Sequence, residues 1–197
     1  MSRLIESIRL ENGQFHRLHY HQKRMNQALF ELQSGSEIDL ANHLKNLDHP
    51  SVGKYKCRVL YDKQIESVEF IPYESKSVQS LKIVYDHTIE YPHKFEARSK
   101  LQALFDQRQY CDDVLIVKNG FVTDASYSNI IFFDGHHWIT PDTPLLKGTM
   151  RQFLLDTAEI KQEPVTVQDI PSFKSFRLIN AMLGFDGPEI EVSRIVL

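Results

Sequence analysis

Between Tyr91 and Asn129 the sequence changes period from strand to helix and back to strand, and this stretch most constrains the fold. A strand-like run closes at Tyr91-Pro92-His93-Lys94. Residues 98–108 then set Leu101, Leu104 and Phe105 on one helical face. Strands over 114–117 and 121–123 follow, joined at Asn119-Gly120, a pair suited to a tight hairpin because both residues tolerate positive φ. The hairpin leads into Val122-Thr123-Asp124-Ala125-Ser126-Tyr127-Ser128-Asn129. Such a mixture reads as α+β. It also sets one lysine at a strand exit and one carboxylate at a turn about thirty residues later.

The rest of the chain carries the same mixture. Residues 4–10 alternate as a strand closed by the turn Glu11-Asn12-Gly13-Gln14. Residues 19–32 carry Met25, Ala28, Leu29 and Leu32 at helical spacing, and Ser34-Gly35-Ser36 ends that helix. A second short helix is expected over 38–47, then strands over 55–61 and 67–73 joined at Asp62-Lys63-Gln64. Glu74-Ser75-Lys76-Ser77-Val78-Gln79-Ser80 is polar and serine-rich, and marks the domain boundary. The reading is a small α+β domain over 1–77, a linker at 78–80 and a larger α+β domain over 81–197. In the second, strands are expected over 81–85, 129–133, 137–140, 164–167 and 176–179, with a helix over 148–158.

Composition excludes several classes of function. The chain of 197 residues has a net charge of −3, so it lacks the basic face that nucleic acid demands. No apolar run is long enough to span a membrane. Met1-Ser2-Arg3-Leu4 enters a strand pattern without the apolar segment of a signal peptide, which implies a cytoplasmic protein. Cys57 and Cys111 lie far apart in apolar surroundings and read as free thiols. His16, His19 and His21, and the pair His136-His137, have no partners at metal-ligand spacing, so no metal site is expected.

One chemistry that a lysine and a carboxylate so placed could serve is that of pyridoxal 5'-phosphate (PLP). Such an enzyme must supply a lysine that forms a Schiff base and a carboxylate for the pyridine nitrogen, together with a cup for the phosphate. Lys94 and Asp124 suit the first two roles, although a surface lysine and a turn-capping aspartate are the ordinary alternatives. Ser128 and Asn129 could anchor Asp124 or cofactor oxygens, or serve the turn alone. Gly148-Thr149 opens a helix and offers an anion site; a plain helix cap is the competing reading. Arg24, one turn beyond His21, could reach the same anion or remain a solvated helix charge.

These segments together resemble the class IV aminotransferases, which include the D-amino-acid and branched-chain aminotransferases and the aminodeoxychorismate lyases. Leu4-Ile5-Glu6-Ser7-Ile8-Arg9-Leu10-Glu11-Asn12-Gly13 resembles the family's FET strand, and Leu18 through Arg24-Met25 its HxxRL segment. Val122 through Ile130 resembles VTEGSSSNI. Thr140-Pro141 with Leu145-Leu146-Lys147-Gly148-Thr149-Met150-Arg151 resembles TP…LLPGITR, and Ile179-Asn180-Ala181-Met182 the late NAL segment. The resemblance implies a two-domain D-amino-acid aminotransferase-like fold, shortened at its N-terminus, with PLP at the domain junction and a homodimer as the active unit. It implies that Lys94 is catalytic, and that Arg24, Lys94, Asp124, Ser128, Asn129, Gly148, Thr149, Asn180 and Ala181 bind the cofactor. The substrate would be an amino acid or amino-deoxychorismate-type molecule. The family's substrate-carboxylate arginine has no unambiguous successor: Arg58 or Lys63 aligns with it, and Arg98 stands near the expected site of a ring contact. These departures leave open a degenerate member that binds PLP or an anion without turnover.

Overall fold

The structure, a computed structural model, describes residues 3–197. The strand pattern read at Met1 and Ser2 therefore lies outside the described residues. By contacts the chain divides into two compact units, Met1–Ser75 with His93–Ala97, and Lys76–Pro92 with Arg98–Leu197.

The first unit is an antiparallel sheet backed by two helices. Its elements are β1 (Leu4–Glu11), β2 (Gln14–Phe15), α1 (Leu18–Glu31), α2 (Leu40–Lys45), β3 (Lys54–Tyr61) and β4 (Ile65–Pro72), with strand order β2-β1-β3-β4. The β1–β2 turn takes positive φ at both Asn12 (47°) and Gly13 (77°), a conformation that favours this residue pair. Strand alternation sends Leu4, Ile8 and Leu10 into the core with Cys57, Val59 and Tyr61 of β3. There they meet Met25, Ala28 and Leu29 of α1 and Leu40 and Leu44 of α2. Glu6 shares the parity of Leu4 and Ile8, and is fully buried.

Because β2 is only two residues long and pairs at Leu10 and Glu11, the far end of that β1 edge needs another partner. Residues 93–97 supply it: Ile5 N–H donates to the Lys94 carbonyl (2.9 Å), Glu96 N–H donates to the Arg3 carbonyl (2.9 Å), and Leu4 bridges Phe95.

The second unit holds a nine-stranded mixed sheet. Its path runs β10 (Ile160–Glu163), β9 (Trp138–Pro141), β8 (Asn129–Phe133), β7 (Phe121–Ala125), β6 (Asp113–Lys118), β5 (Leu81–Tyr85) and β13 (Ile195–Val196). Off that path, β11 (Ser175–Ile179) pairs with β8 and with β12 (Ile190–Glu191). Helices α3 (Ser99–Phe105) and α4 (Thr149–Asp156) complete the unit. Its main core gathers Leu115, Val117, Val122, Ile130, Phe132 and Phe176.

Two expected strands do not form. The chain leaves β5 at Tyr85, where the Asp86 carboxylate accepts the Thr88 N–H (2.7 Å) and turns the backbone, so Lys94 lies in an irregular segment. The strand expected at 164–167 gives way to β10 just before it. Thr166 and Asp169 form a capping box that starts a 3-10 turn at Val167. The helix over 98–108 is α only to Phe105 and tightens to a 3-10 turn over Asp106–Arg108.

Leu29 is 2% exposed at the centre of the first core. Leu29→Ala should lower unfolding stability by roughly 2–5 kcal/mol, read as a fall in the urea midpoint. An unchanged midpoint would show that this core does not depend on the α1 contact.

Candidate functional site

The second unit builds its polar centre around Asp124, at the end of β7. Only Asp124 and Asn129 pair in register between β7 and β8, so the two residues face one another where the halves of the sheet join. Asn129 Nδ2 donates to Asp124 Oδ1 (2.7 Å) and to the Leu146 carbonyl (2.9 Å). The Leu146 N–H donates to Asp124 Oδ2 (3.0 Å). Burial pushes the Asp124 carboxyl up, against the lowering effect of these donors and of the Arg151 charge, to about 6. The result is a fixed, buried carboxylate with no contacting cation among the described residues. Each oxygen still has acceptor capacity, which suits a protonated ring nitrogen.

Gly148 belongs to the same assembly. Its φ of −66° and ψ of 145° suit any residue, so conformation does not require glycine here. Space does: a Cβ at Gly148 would lie 2.0 Å from Asn129 Oδ1. Thr149 follows as the buried first residue of α4, at a helix N-terminus whose dipole favours an anion.

Ser128 and Asn180 are also joined, through Asn180 Nδ2 and Ser128 Oγ (2.9 Å). Asn180 Oδ1 accepts from the Met182 (2.8 Å) and Leu183 (2.9 Å) N–H groups, so this side chain shapes the turn that follows Ala181. Arg98 donates to the Ser126 carbonyl and stacks over the Tyr127 ring at 4.0 Å, with Tyr91 at 6.0 Å.

Arg151 was not among the residues expected to matter. Its guanidinium is buried and donates to the Pro141 carbonyl (2.9 Å) and to Gln162 Oε1 (3.2 Å), tying α4 to β9 and β10. Burial lowers its pKa, while the charges of Asp124 and Asp142 oppose that shift. A cation at the third position of a helix beginning Gly-Thr was the available signal.

In the first unit Arg24 is held by the buried Glu6, with Arg24 Nε 2.9 Å from Glu6 Oε1 and a second bond from Nη2 to Oε2. His21 Nδ1 also meets Glu6 Oε2 at 2.6 Å. Burial alone would raise the Glu6 carboxyl, but Arg24 and His21 outweigh it and hold the group at about 2. Burial also lowers the pKa of His21. Glu6 was not expected as a site residue. A carboxylate at apolar parity between Leu4 and Ile8 was the signal that could have found it.

Lys94 sits in the segment laid against β1. Two residues on, Glu96 pairs with Arg3 (2.6 Å) and with Arg58 (2.8 Å), which fixes the segment electrostatically. Arg58 also lies 3.8 Å from Glu69. The arginine considered for a substrate carboxylate therefore already has two carboxylate neighbours. Among the described residues no cluster of His, Cys, Asp and Glu could hold a metal, and no helix is long and apolar enough to cross a membrane.

The profile of the family described as amino-transferase class IV matches residues 3–185, and the chain belongs to that family. An uncharacterised protein of Haemophilus influenzae is 35% identical over 184 residues, covering 92% of this chain and 98% of its own. A solved structure from Haemophilus somnus, provisionally assigned as a 4-amino-4-deoxychorismate lyase, is 33% identical. It superposes with a TM-score of 0.85, over 94% of this chain and 98% of that one. A hypothetical aminotransferase of Mycobacterium tuberculosis in its PLP-bound form shares the fold, with a TM-score of 0.78 at 17% identity, over 98% and 81% of the two chains.

Gly148→Ala should force Asn129 aside and cost about 1–3 kcal/mol through lost hydrogen bonds and overpacking. Chemical denaturation reads this directly, and a variant as stable as the parent would show that Asn129 yields without loss. The raised carboxyl of Asp124 gives a second expectation. In the cofactor-free protein the folded state binds the extra proton between pH 4 and 6. That contribution is full below the unfolded pKa and lost as pH rises through about 6. Asp124→Asn removes it, so the variant should gain on the parent by up to about 3 kcal/mol between pH 4 and pH 7.5. A stability difference that does not change with pH would count against a raised Asp124.

Proposed function

We propose that this class IV family member is a PLP enzyme acting on an amino-acid-type substrate through Lys94. The observation that carries the reading is the buried Asp124 carboxylate, braced by Asn129 and Leu146 but left without a contacting cation. When bound, PLP supplies an aldehyde that an amine can condense with and a ring that draws electrons from the substrate α-carbon.

In this reading Asp124 accepts the N–H of the ring nitrogen and keeps that nitrogen protonated. Arg24, oriented by Glu6, and the backbone N–H groups at Gly148 and Thr149 hold the phosphate. Ser128, Asn129, Asn180 and Ala181 shape the surrounding turns. Lys94 would hold the group covalently, and its Nζ, once displaced by the substrate amine, would be the free amine that takes the proton from the substrate α-carbon. The fit is chemical: a buried anion for a ring cation, and a guanidinium and helix start for a phosphate.

Two reactions share that proton transfer. One is transamination, and the other is the release of pyruvate from 4-amino-4-deoxychorismate to leave 4-aminobenzoate. The likeness to the Haemophilus somnus protein at 33% identity supports the second. We read the working form as a cytoplasmic homodimer, and light scattering at micromolar concentration should give twice the chain mass.

Borohydride reduction in the presence of PLP, followed by peptide mapping, should place the label on Lys94; a label on Lys100 or Lys118 would sink this assignment. The labelled protein's parent should release pyruvate from 4-amino-4-deoxychorismate. Conversion of D- or L-amino acids to 2-oxo acids instead would make it a transaminase. Label on Lys94 with neither product would leave a PLP-binding module without turnover.

A further inference from the structure

The loop between β7 and β8 carries a side chain that its surroundings hold more firmly than a loop tip needs. The Asp124–Asn129 pair closes the base of this loop, and the Ala125 N–H donates to the Ser128 carbonyl (2.9 Å). Ser126 and Tyr127 therefore form its tip. The pattern VTEGSSSNI has serine where this chain has Tyr127, three residues from the acid at the centre of the site.

Ser126 is fastened on both sides. Its N–H donates to Asp113 Oδ1 (3.4 Å), which also accepts the Val114 N–H (2.8 Å). Its carbonyl accepts from Arg98 Nη2. The same guanidinium lies over the Tyr127 ring at 4.0 Å. Phe105 of α3 stands at right angles to that ring, with centroids 6.1 Å apart, and is itself covered by Arg108 at 4.0 Å. Holding the tip in this way is unfavourable in two places. Asp113 is a buried carboxylate, and desolvation pushes its pKa up against the pull of its hydrogen bonds and of Arg98. Arg98 Nε is buried without a hydrogen-bond partner.

Arginines stack on aromatic rings at many protein surfaces, and most such pairs are ordinary packing. Here the arginine also fastens the residue before the ring, and two buried charged groups serve one exposed side chain. Tyr127 is 56% exposed although one face lies under a guanidinium, so the opposite face is open to solvent. A cation on one face draws π density toward itself and leaves the other face less negative. The open face then favours an electron-rich ring over an electron-poor one. We infer that Tyr127, backed by Arg98, is a stacking platform that selects a substrate or product with a planar, amino-substituted ring. The link between that ring and turnover rests on the function proposed above, in which 4-aminobenzoate is a product; the stacking itself does not.

The test uses the full chain, with and without added PLP, and three probes of equal charge: 4-aminobenzoate, 4-nitrobenzoate and cyclohexanecarboxylate. Calorimetry should find 4-aminobenzoate the tightest and cyclohexanecarboxylate the weakest. The two should differ by about three- to tenfold, the scale of one aromatic pair. Tyr127→Phe should keep that order. Tyr127→Leu should remove it, bringing 4-aminobenzoate to the level of cyclohexanecarboxylate, with a thermal midpoint that shows the fold intact. Arg98→Met should narrow the gap between the amino and nitro probes. Equal affinities for the three probes in the parent, or an order that survives in Tyr127→Leu, would overturn the platform whatever the labelling of Lys94 shows. Absence of Lys94 labelling in the parent, with the order of probes intact, would overturn the cofactor reading and leave the platform standing.

Discussion

One amide nitrogen, Asn129 Nδ2, spends both of its protons on acceptors from different segments: the Asp124 carboxylate on β7 and the Leu146 carbonyl in the loop before α4. Because both partners are acceptors, the amide has only one orientation that works, with its oxygen turned toward Gly148. That oxygen occupies the volume a side chain at 148 would need. Three features that look independent in the sequence are therefore one object: an acid, an amide five residues later, and a glycine before a helix. The object stands where β7 and β8 share their single registered pair, so the join of the sheet and the position of the acid depend on the same bonds.

Two buried carboxylates show how differently one protein can treat the same group. Glu6 touches a guanidinium and an imidazole and is held at about 2. Asp124 touches only neutral donors and stands at about 6. Desolvation acts upward on both, so the difference lies in the contacting positive charge. Glu6 is thus already neutralised, and its role is to orient Arg24. Asp124 is buried without that relief, which a cationic ring nitrogen would provide. Burying an unpaired carboxylate costs stability, and under the proposed function a cationic ligand that completes the pair would offset that cost.

Much of the fold was legible because local signals agreed with tertiary needs. The alternation of β1, the apolar stripe of α1 and the Asn12-Gly13 and Asn119-Gly120 turns all lie close to their expected positions. What escaped were features set by distant partners. No pattern within 86–98 reveals that residues 93–97 complete an edge of β1, because the backbone groups they satisfy belong to Arg3 and Ile5. The apolar character of Pro164-Val165 suggested a strand. Val165 instead accepts the Val122 N–H in a short contact before the capping box redirects the chain. In the site, Asp124 and Gly148 stood in recognisable strings, whereas Glu6 and Arg151 act through burial, which residue identity alone does not disclose. The stack of Arg98 on Tyr127 became informative only with the fold that brings the start of α3 against the β7–β8 loop.

The acid at position 124 is aspartate where the family pattern carries glutamate, and the brace accounts for how the shorter side chain is held. An aspartate has one fewer rotatable bond, so two hydrogen bonds, one to each oxygen, fix the whole side chain. Those bonds come from Asn129 and from the Leu146 backbone, and both donors lie within reach of a short arm extending from β7. A glutamate at 124 would carry its oxygens about one bond length further, past both donors, and would need the 145–148 loop to move outward. That loop cannot move independently, because Leu146 is bonded on both its N–H and its carbonyl, and Gly148 is packed on Asn129. The length of the acid and the path of the loop are therefore set together, and a change in one requires a change in the other.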